Sequence, residues 1–364
     1  MARRIAPLLA LLACLCGACE GPAAREEKAA NAIFALGGRV ELDTELPDLP
    51  VIGVDFWGTP VTDADLRGLA DIGGLRMILL NDTAITDAGL AELKGLTRLQ
   101  ELDLLGTNIT DAGLKCLRGM KALRRLRLAH TDLADEGLKE VGKLTGLREL
   151  DISCTDVTDA GLRELKGLQG LRYLDLGGTD VTDAGLADLA ELQGLQHLGL
   201  GGTRVTDAGL AELRALKQLQ GICLAYTEVT AAGLKELRGL WGLHLGNTYI
   251  TDAGLRELKA LRGLRSLNLS GTPITDAGVK QLKALPALED LDLFDTSVTG
   301  AGLKELEGLR RLWLGQTDIT DAGLKELKEL PDLEELDLTG AKVSDAAVKD
   351  LQQALPAVKI VGPR

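Results

Sequence analysis

Apolar residues recur along the chain in two alternating rhythms. A stretch such as Leu147-Arg148-Glu149-Leu150-Asp151-Ile152-Ser153-Cys154-Thr155 alternates over its L-x-L centre, the period-two pattern of a short strand. The stretch that follows, Thr158 to Leu168, spaces its leucines three apart and predicts a short helix. Thr158 is placed to cap that helix, and Asp159 suits the positive end of its dipole. The pair of elements then repeats. The phrase T-x-[IV]-T-D-A-G-L begins at Thr59 and returns at 83, 107, 131, 155, 179, 203, 227, 248, 272, 296 and 317, with Ala341 in the leading place of the last copy. Every step is 24 residues except 227 to 248 and 296 to 317, which are 21. A fixed period this short predicts a solenoid, because one strand and one helix cannot bury their apolar faces until units stack.

Stacking fixes the expected architecture. Parallel strands sit about 4.8 Å apart, whereas packed helices need about 8–10 Å. The array therefore curves with a parallel sheet on its concave face and helices on its convex face, an α/β horseshoe. Fourteen strands, counting the final Val358-Lys359-Ile360, predict an inner arc of roughly 65 Å. The two three-residue deletions predict a local change of curvature near 234–243 and 303–312.

Composition sharpens this reading. Leucine accounts for 77 of the 364 residues and glycine for 44, while Phe, Trp and Tyr number three each. Length alone would suggest two or three domains, but a core built from one aliphatic residue fits a single continuous array from 51 to 364. A hydrophobic content of 45% excludes disorder. The net charge of −13 argues against nucleic acid as a partner.

The chain begins MARRIAPLLALLACLCGAC. A basic start, a dozen apolar residues and a small-residue exit are the pattern of a signal peptide over 1–19, too short to span a bilayer as a helix. Gly17-Ala18-Cys19 resembles the end of a bacterial lipobox, which implies lipidation of Cys19 and a membrane anchor. Simple cleavage after Ala18 is the alternative. Residues 20–50 read as an N-terminal cap, with a helix over 26–36 and a short strand over 39–43 covering the exposed end of the array. Cys116, Cys154 and Cys223 are too few and too scattered for a disulfide framework or a paired zinc motif.

The thirteen copies resemble the leucine-rich repeat family over about 51–361. The phrase I-T-D-A-G-L is similar to the cysteine-containing repeats of ubiquitin-ligase substrate receptors. Thr in the place of Cys and the 24-residue unit look more like bacterial repeat proteins of planctomycete type. The resemblance implies a shape, not a ligand, since such arrays bind unrelated partners.

Repetition also sorts chemistry from scaffold. A residue present in every unit serves every unit, so the repeated Thr and Asp are structural: Thr bonding backbone of its own and neighbouring turns, Asp helping to begin each helix. Departures from the consensus carry more information. The fifth position of L-x-x-L-x-L reads Asp55, Leu79, Asp103, Arg127, Asp151, Asp175, Gly199, Cys223, His244, Asn268, Asp292, Trp313, Asp337, an acidic floor interrupted by Arg125 and Arg127. The second position carries Arg76, Arg124, Arg148, Arg172, Arg265 and Arg310, a strip expected to pair with neighbouring carboxylates. Trp57, Tyr173, Tyr226, Phe294 and Trp313 fall at outward or rim positions, where a leucine core has no need of them.

Phe294 and Trp313, on adjacent strands, are expected within about 8 Å of each other. With Tyr226 and His244 they form the first candidate binding patch. Tyr173 and His197, beside Gly177, Gly199, Gly201 and Gly221, form a second. His197, Cys223 and His244 do not converge neatly enough for a metal, and no catalytic constellation or cofactor motif is present. These features predict a non-enzymatic scaffold that binds a protein partner on its concave face, outside the cytoplasm. An intracellular recognition subunit resembling ubiquitin-ligase substrate receptors, or a secreted effector, is the alternative, although residues 20–50 are too short for the recruiting domain of those receptors.

Overall fold

A computed structural model describes residues 22–46 and 50–363. Residues 1–19, and with them Cys19, lie outside the described residues. The chain divides into two compact units, residues 1–174 and 175–364.

In the first unit, helix α1 (Pro22–Ala35) buries Ala30 and Ile33 and leads into β1 (Arg39–Leu42). β1 runs antiparallel to β2 (Val51–Asp55), with a register shift between Glu41 and Leu42. From β2 onward the strands are parallel: β3 (Met77–Leu79), β4 (Glu101–Asp103), β5 (Arg125–Arg127) and β6 (Glu149–Asp151). β7 (Tyr173–Asp175) spans the division. The second unit continues with β8 (His197–Gly199), β9 (Gly221–Cys223), β10 (Gly242–His244), β11 (Ser266–Asn268), β12 (Asp290–Asp292), β13 (Arg311–Trp313), β14 (Glu335–Asp337) and β15 (Lys359–Val361), each parallel to the next. From β3 to β14 each strand is three residues long, and its central side chain is buried in the aliphatic ladder of the core.

The short helical turns on the other side begin at the predicted threonines. Thr86, Thr158, Thr182, Thr206, Thr230 and Thr275 adopt extended backbone, and each Oγ1 accepts from the amide two residues on. All twelve leading threonines, from Thr59 to Thr317, donate their hydroxyl to the carbonyl three residues back in their own turn. Eleven of the twelve are buried, so the hydroxyl is satisfied where water cannot reach it.

The repeated aspartate does more than begin its own helix. Asp183 Oδ1 and Oδ2 accept from the amide and hydroxyl of Thr206, in the next unit, at 2.7 and 2.6 Å. The same pair of bonds joins Asp63 to Thr86, Asp87 to Thr110, Asp135 to Thr158, Asp207 to Thr230, Asp252 to Thr275, Asp276 to Thr299 and Asp321 to Ser344. At Ala134 only the amide bond to Asp111 remains. The aspartate is thus a staple between units, charge-assisted on the helical side as the sheet is hydrogen-bonded on the other.

The two 21-residue units stand apart. They carry Ala231 and Gly300 where the others have aspartate. The amide of Thr320 bonds the Thr299 carbonyl directly, at 3.1 Å. Beside the second shortened unit, Pro286, Leu288, Gly308, Arg310, Pro331 and Leu333 line an open notch of about 600 Å³.

Candidate binding site

The strand faces of the two units differ in how they manage charge. In the first unit, Arg125 lies between Glu101 and Glu149, at 2.9 and 2.5 Å, and Arg127 Nη1 lies 3.1 Å from Asp103 Oδ2. The expected basic interruption is therefore neutralised from within. Tyr173 (38% exposed) joins Arg125, Arg127, Glu149 and Asp151 around a shallow pocket of about 270 Å³. The arginine strip is only partly paired with carboxylates. Arg265 and Arg310 bond Glu289 and Glu334, whereas Arg124 and Arg148 reach the carbonyls of Gly146 and Gly170 one unit on.

The second unit adds aromatic and histidine side chains to its strand face. The ring of His197 lies over Gly221, where a Cβ would stand 2.7 Å from Nδ1. Trp241 meets it edge-on at 5.5 Å between ring centroids, and Trp241 Nε1 donates to Gln220 Oε1 at 3.0 Å. Trp241 is 42% exposed and was not among the candidates. It occupies the second position, which is arginine in six other repeats and Gln or Glu in five, and an aromatic ring there was its sequence signal.

His244 and Cys223 are opposite one another on adjacent strands, with Sγ 3.4 Å from Nδ1. Burial pushes the thiol up and the imidazole down, so both rest neutral, the opposite of a thiolate–imidazolium nucleophile. Among the described residues no three His, Cys, Asp or Glu side chains gather as metal ligands.

The remaining candidates spread along the unit. Tyr226 is 68% exposed at a turn with φ of 57°, the left-handed conformation that Gly178, Gly202 and Gly271 hold in other units and that Asp82, His130, Cys154, Asn247, Asp295 and Gln316 also adopt. Phe294 (39% exposed) does not face Trp313 in register. Trp313 lies opposite Asp292 and Asp337, while the phenyl ring lies over Gly315, where a Cβ would stand 2.8 Å from Cδ2. The reason is position: Phe294 is two residues past its strand. Tyr249 (76% exposed) follows a leading threonine, outside the outward strand positions, and Trp57 is tied to Asp82 through Nε1 at 3.0 Å.

Known proteins place this arrangement. The leucine-rich repeat family model matches residues 96–117, 121–142, 143–166, 169–190 and 262–283. No curated protein sequence matches the chain. Among solved structures, an internalin of Listeria monocytogenes is 22% identical, with 92% of this chain and 94% of that one covered at a TM-score of 0.63. A leucine-rich repeat protein of Leptospira interrogans is 24% identical over 81% of this chain and 74% of that one, at 0.58. A TDR receptor is 18% identical over 80% and 52%, at 0.53. Family model, repeat geometry and structural likeness agree: the chain is a leucine-rich repeat protein.

Proposed function

We propose that this chain is a non-enzymatic scaffold that captures a protein partner on the strand face of residues 175–364. The supporting observation is the set of exposed aromatic side chains on that face, with His197 and His244 among them. Tyr226 is the sharpest case. A bulky residue in the left-handed region costs about 1 kcal/mol relative to glycine, and this one is kept exposed. Exposed aromatics are the usual anchors of protein interfaces. Tyr226, Phe294, Trp313, His244, His197 and Trp241 belong to this surface, with Tyr173 on the face of the first unit. Burial of Cys223 and His244 in their neutral forms favours a binding surface over a nucleophilic site.

The signal-like start and Cys19 add the finer proposal of export and lipid anchoring on the outer side of a membrane. No described helix is long and apolar enough to cross one. Residues 22–46 supply the cap of the array, α1 and β1.

Capture from native membrane extracts, with the full-length chain as bait, tests both parts. Wild-type bait is expected to hold a protein that Tyr226→Ala and Phe294→Ala together release at least tenfold. Cys19→Ser is expected to move the chain from the membrane to the soluble fraction. Equal capture by the double variant would overturn the binding face, and an unprocessed cytoplasmic product would overturn the export.

A further inference from the structure

The fifth strand positions hold the same three-residue arrangement twice. Across β4, β5 and β6 they read Asp103, Arg127 and Asp151, in register. Across β12, β13 and β14 they read Asp292, Trp313 and Asp337, also in register. In both, two carboxylates stand on strands two apart, about 10 Å from one another, with one side chain between them. In the first case that side chain is a guanidinium, bonded to Asp103. In the second it is an indole, and among the described residues neither acid has a salt-bridge partner.

Nearby charges do not fill the gap. Arg311 is committed to Asp290 through Nε at 2.6 Å, and Lys359 to Glu335 at 2.6 Å. Burial holds the His244 imidazole low and therefore uncharged near neutrality. Asp292 accepts from the Phe294 amide at 2.9 Å and from Asn268 Nδ2 at 2.7 Å, and Asp337 accepts from the Thr339 amide at 2.7 Å. These bonds orient the carboxylates without neutralising them. Among the described residues neither has a basic group within 4.0 Å. Burial pushes the Asp292 carboxyl up, against the opposing pull of the Phe294 amide, His244 and Asn268. Trp313 between the acids and the exposed ring of Phe294 beside them add aromatic faces that attract cations, most of all the planar guanidinium.

We propose that Asp292, Trp313 and Asp337, flanked by Phe294, receive an arginine side chain of the partner protein, supplying from outside the cation that Arg127 supplies from within. The proposal rests on the reading of this face as a protein-binding surface and names the chemistry of what it holds.

The three tryptophans give three indole N–H signals, so an NMR titration of the intact protein reads the site directly. The probe is acetyl-Gly-Arg-Gly-amide, with the citrulline peptide as its uncharged isostere and the lysine peptide as a cation without the planar fork. The Trp313 signal, assigned by Trp313→Phe, is expected to shift saturably with the arginine peptide while Trp57 and Trp241 stay in place. Asp337→Asn is expected to weaken binding at least fivefold, Asp103→Asn not at all, and the citrulline peptide to give no response. No saturable shift, an equal shift with citrulline or lysine, or an equal shift of all three indoles would overturn the proposal. Retained capture of a partner that depends on Tyr226 and Phe294, without an arginine response, would reject this site alone and leave the binding face standing.

Discussion

Units of 24 residues and units of 21 residues solve the same stacking problem differently. In the longer ones an aspartate crosses to the next unit and satisfies the amide and hydroxyl of its capping threonine. The glycine three residues after that threonine leaves room for the same aspartate. A Cβ at Gly209 would stand 2.4 Å from Asp183 Oδ1. In the second shorter unit the backbone itself makes the approach, with the Thr320 amide on the Thr299 carbonyl and Gly300 at φ of 105°. In the first, a Cβ at Gly254 would stand 2.7 Å from the Ala231 methyl. Losing three residues and losing the aspartate go together in both. A side chain bridges where the unit is long, and small residues close the gap where it is short.

The comparison can be broken most severely at Gly323. A Cβ there would stand 2.1 Å from the Thr299 carbonyl oxygen and 2.9 Å from Gly300 Cα, neither of which can rotate away. Gly323→Ala is expected to cost about 3 kcal/mol in urea unfolding. Gly209→Ala meets a carboxylate that can turn aside, and should cost about 1–2 kcal/mol less. Equal costs would mean that both kinds of unit are held alike.

A smaller effect is expected from the staple itself. Asp183→Ala strands the amide and hydroxyl of Thr206, a loss of about 1–3 kcal/mol, with faster amide exchange at Thr206. Ala231→Gly, at the equivalent place in a shortened unit, should cost about 1 kcal/mol or less. A larger loss at Ala231 than at Asp183 would reverse the assignment.

The smallest effect concerns the turn that opens the first shortened unit. Tyr226→Gly relieves the left-handed backbone and should raise stability by up to about 1 kcal/mol, read as a higher midpoint of thermal unfolding. A loss of stability would show that Tyr226 packs, and would weaken its place in the binding surface.

Much of the scaffold was legible because it depends on residues close in the chain. The strand and helix rhythms, the capping threonines and the inward leucines all follow from local periodicity. Less of the candidate site was legible. Tyr226 and Phe294 stood out as departures from the repeat, but the seating of the Phe294 ring on Gly315 did not, because it depends on the side-chain rotamer. Trp241 escaped because it holds a second position, shared elsewhere by Arg, Gln and Glu, rather than an outward strand position.

By itself the sequence determined a leucine-rich solenoid, its unit length and the two places where that length changes, since period and burial pattern act within a single unit. Only the tertiary structure decided what meets across units. The aspartate staples reach a threonine 23 residues on, Arg127 closes on Asp103, and Asp292 and Asp337 are brought to either side of Trp313. Those pairings depend on the step from one unit to the next, and that step is set by packing of the leucine core rather than by any one unit's residues.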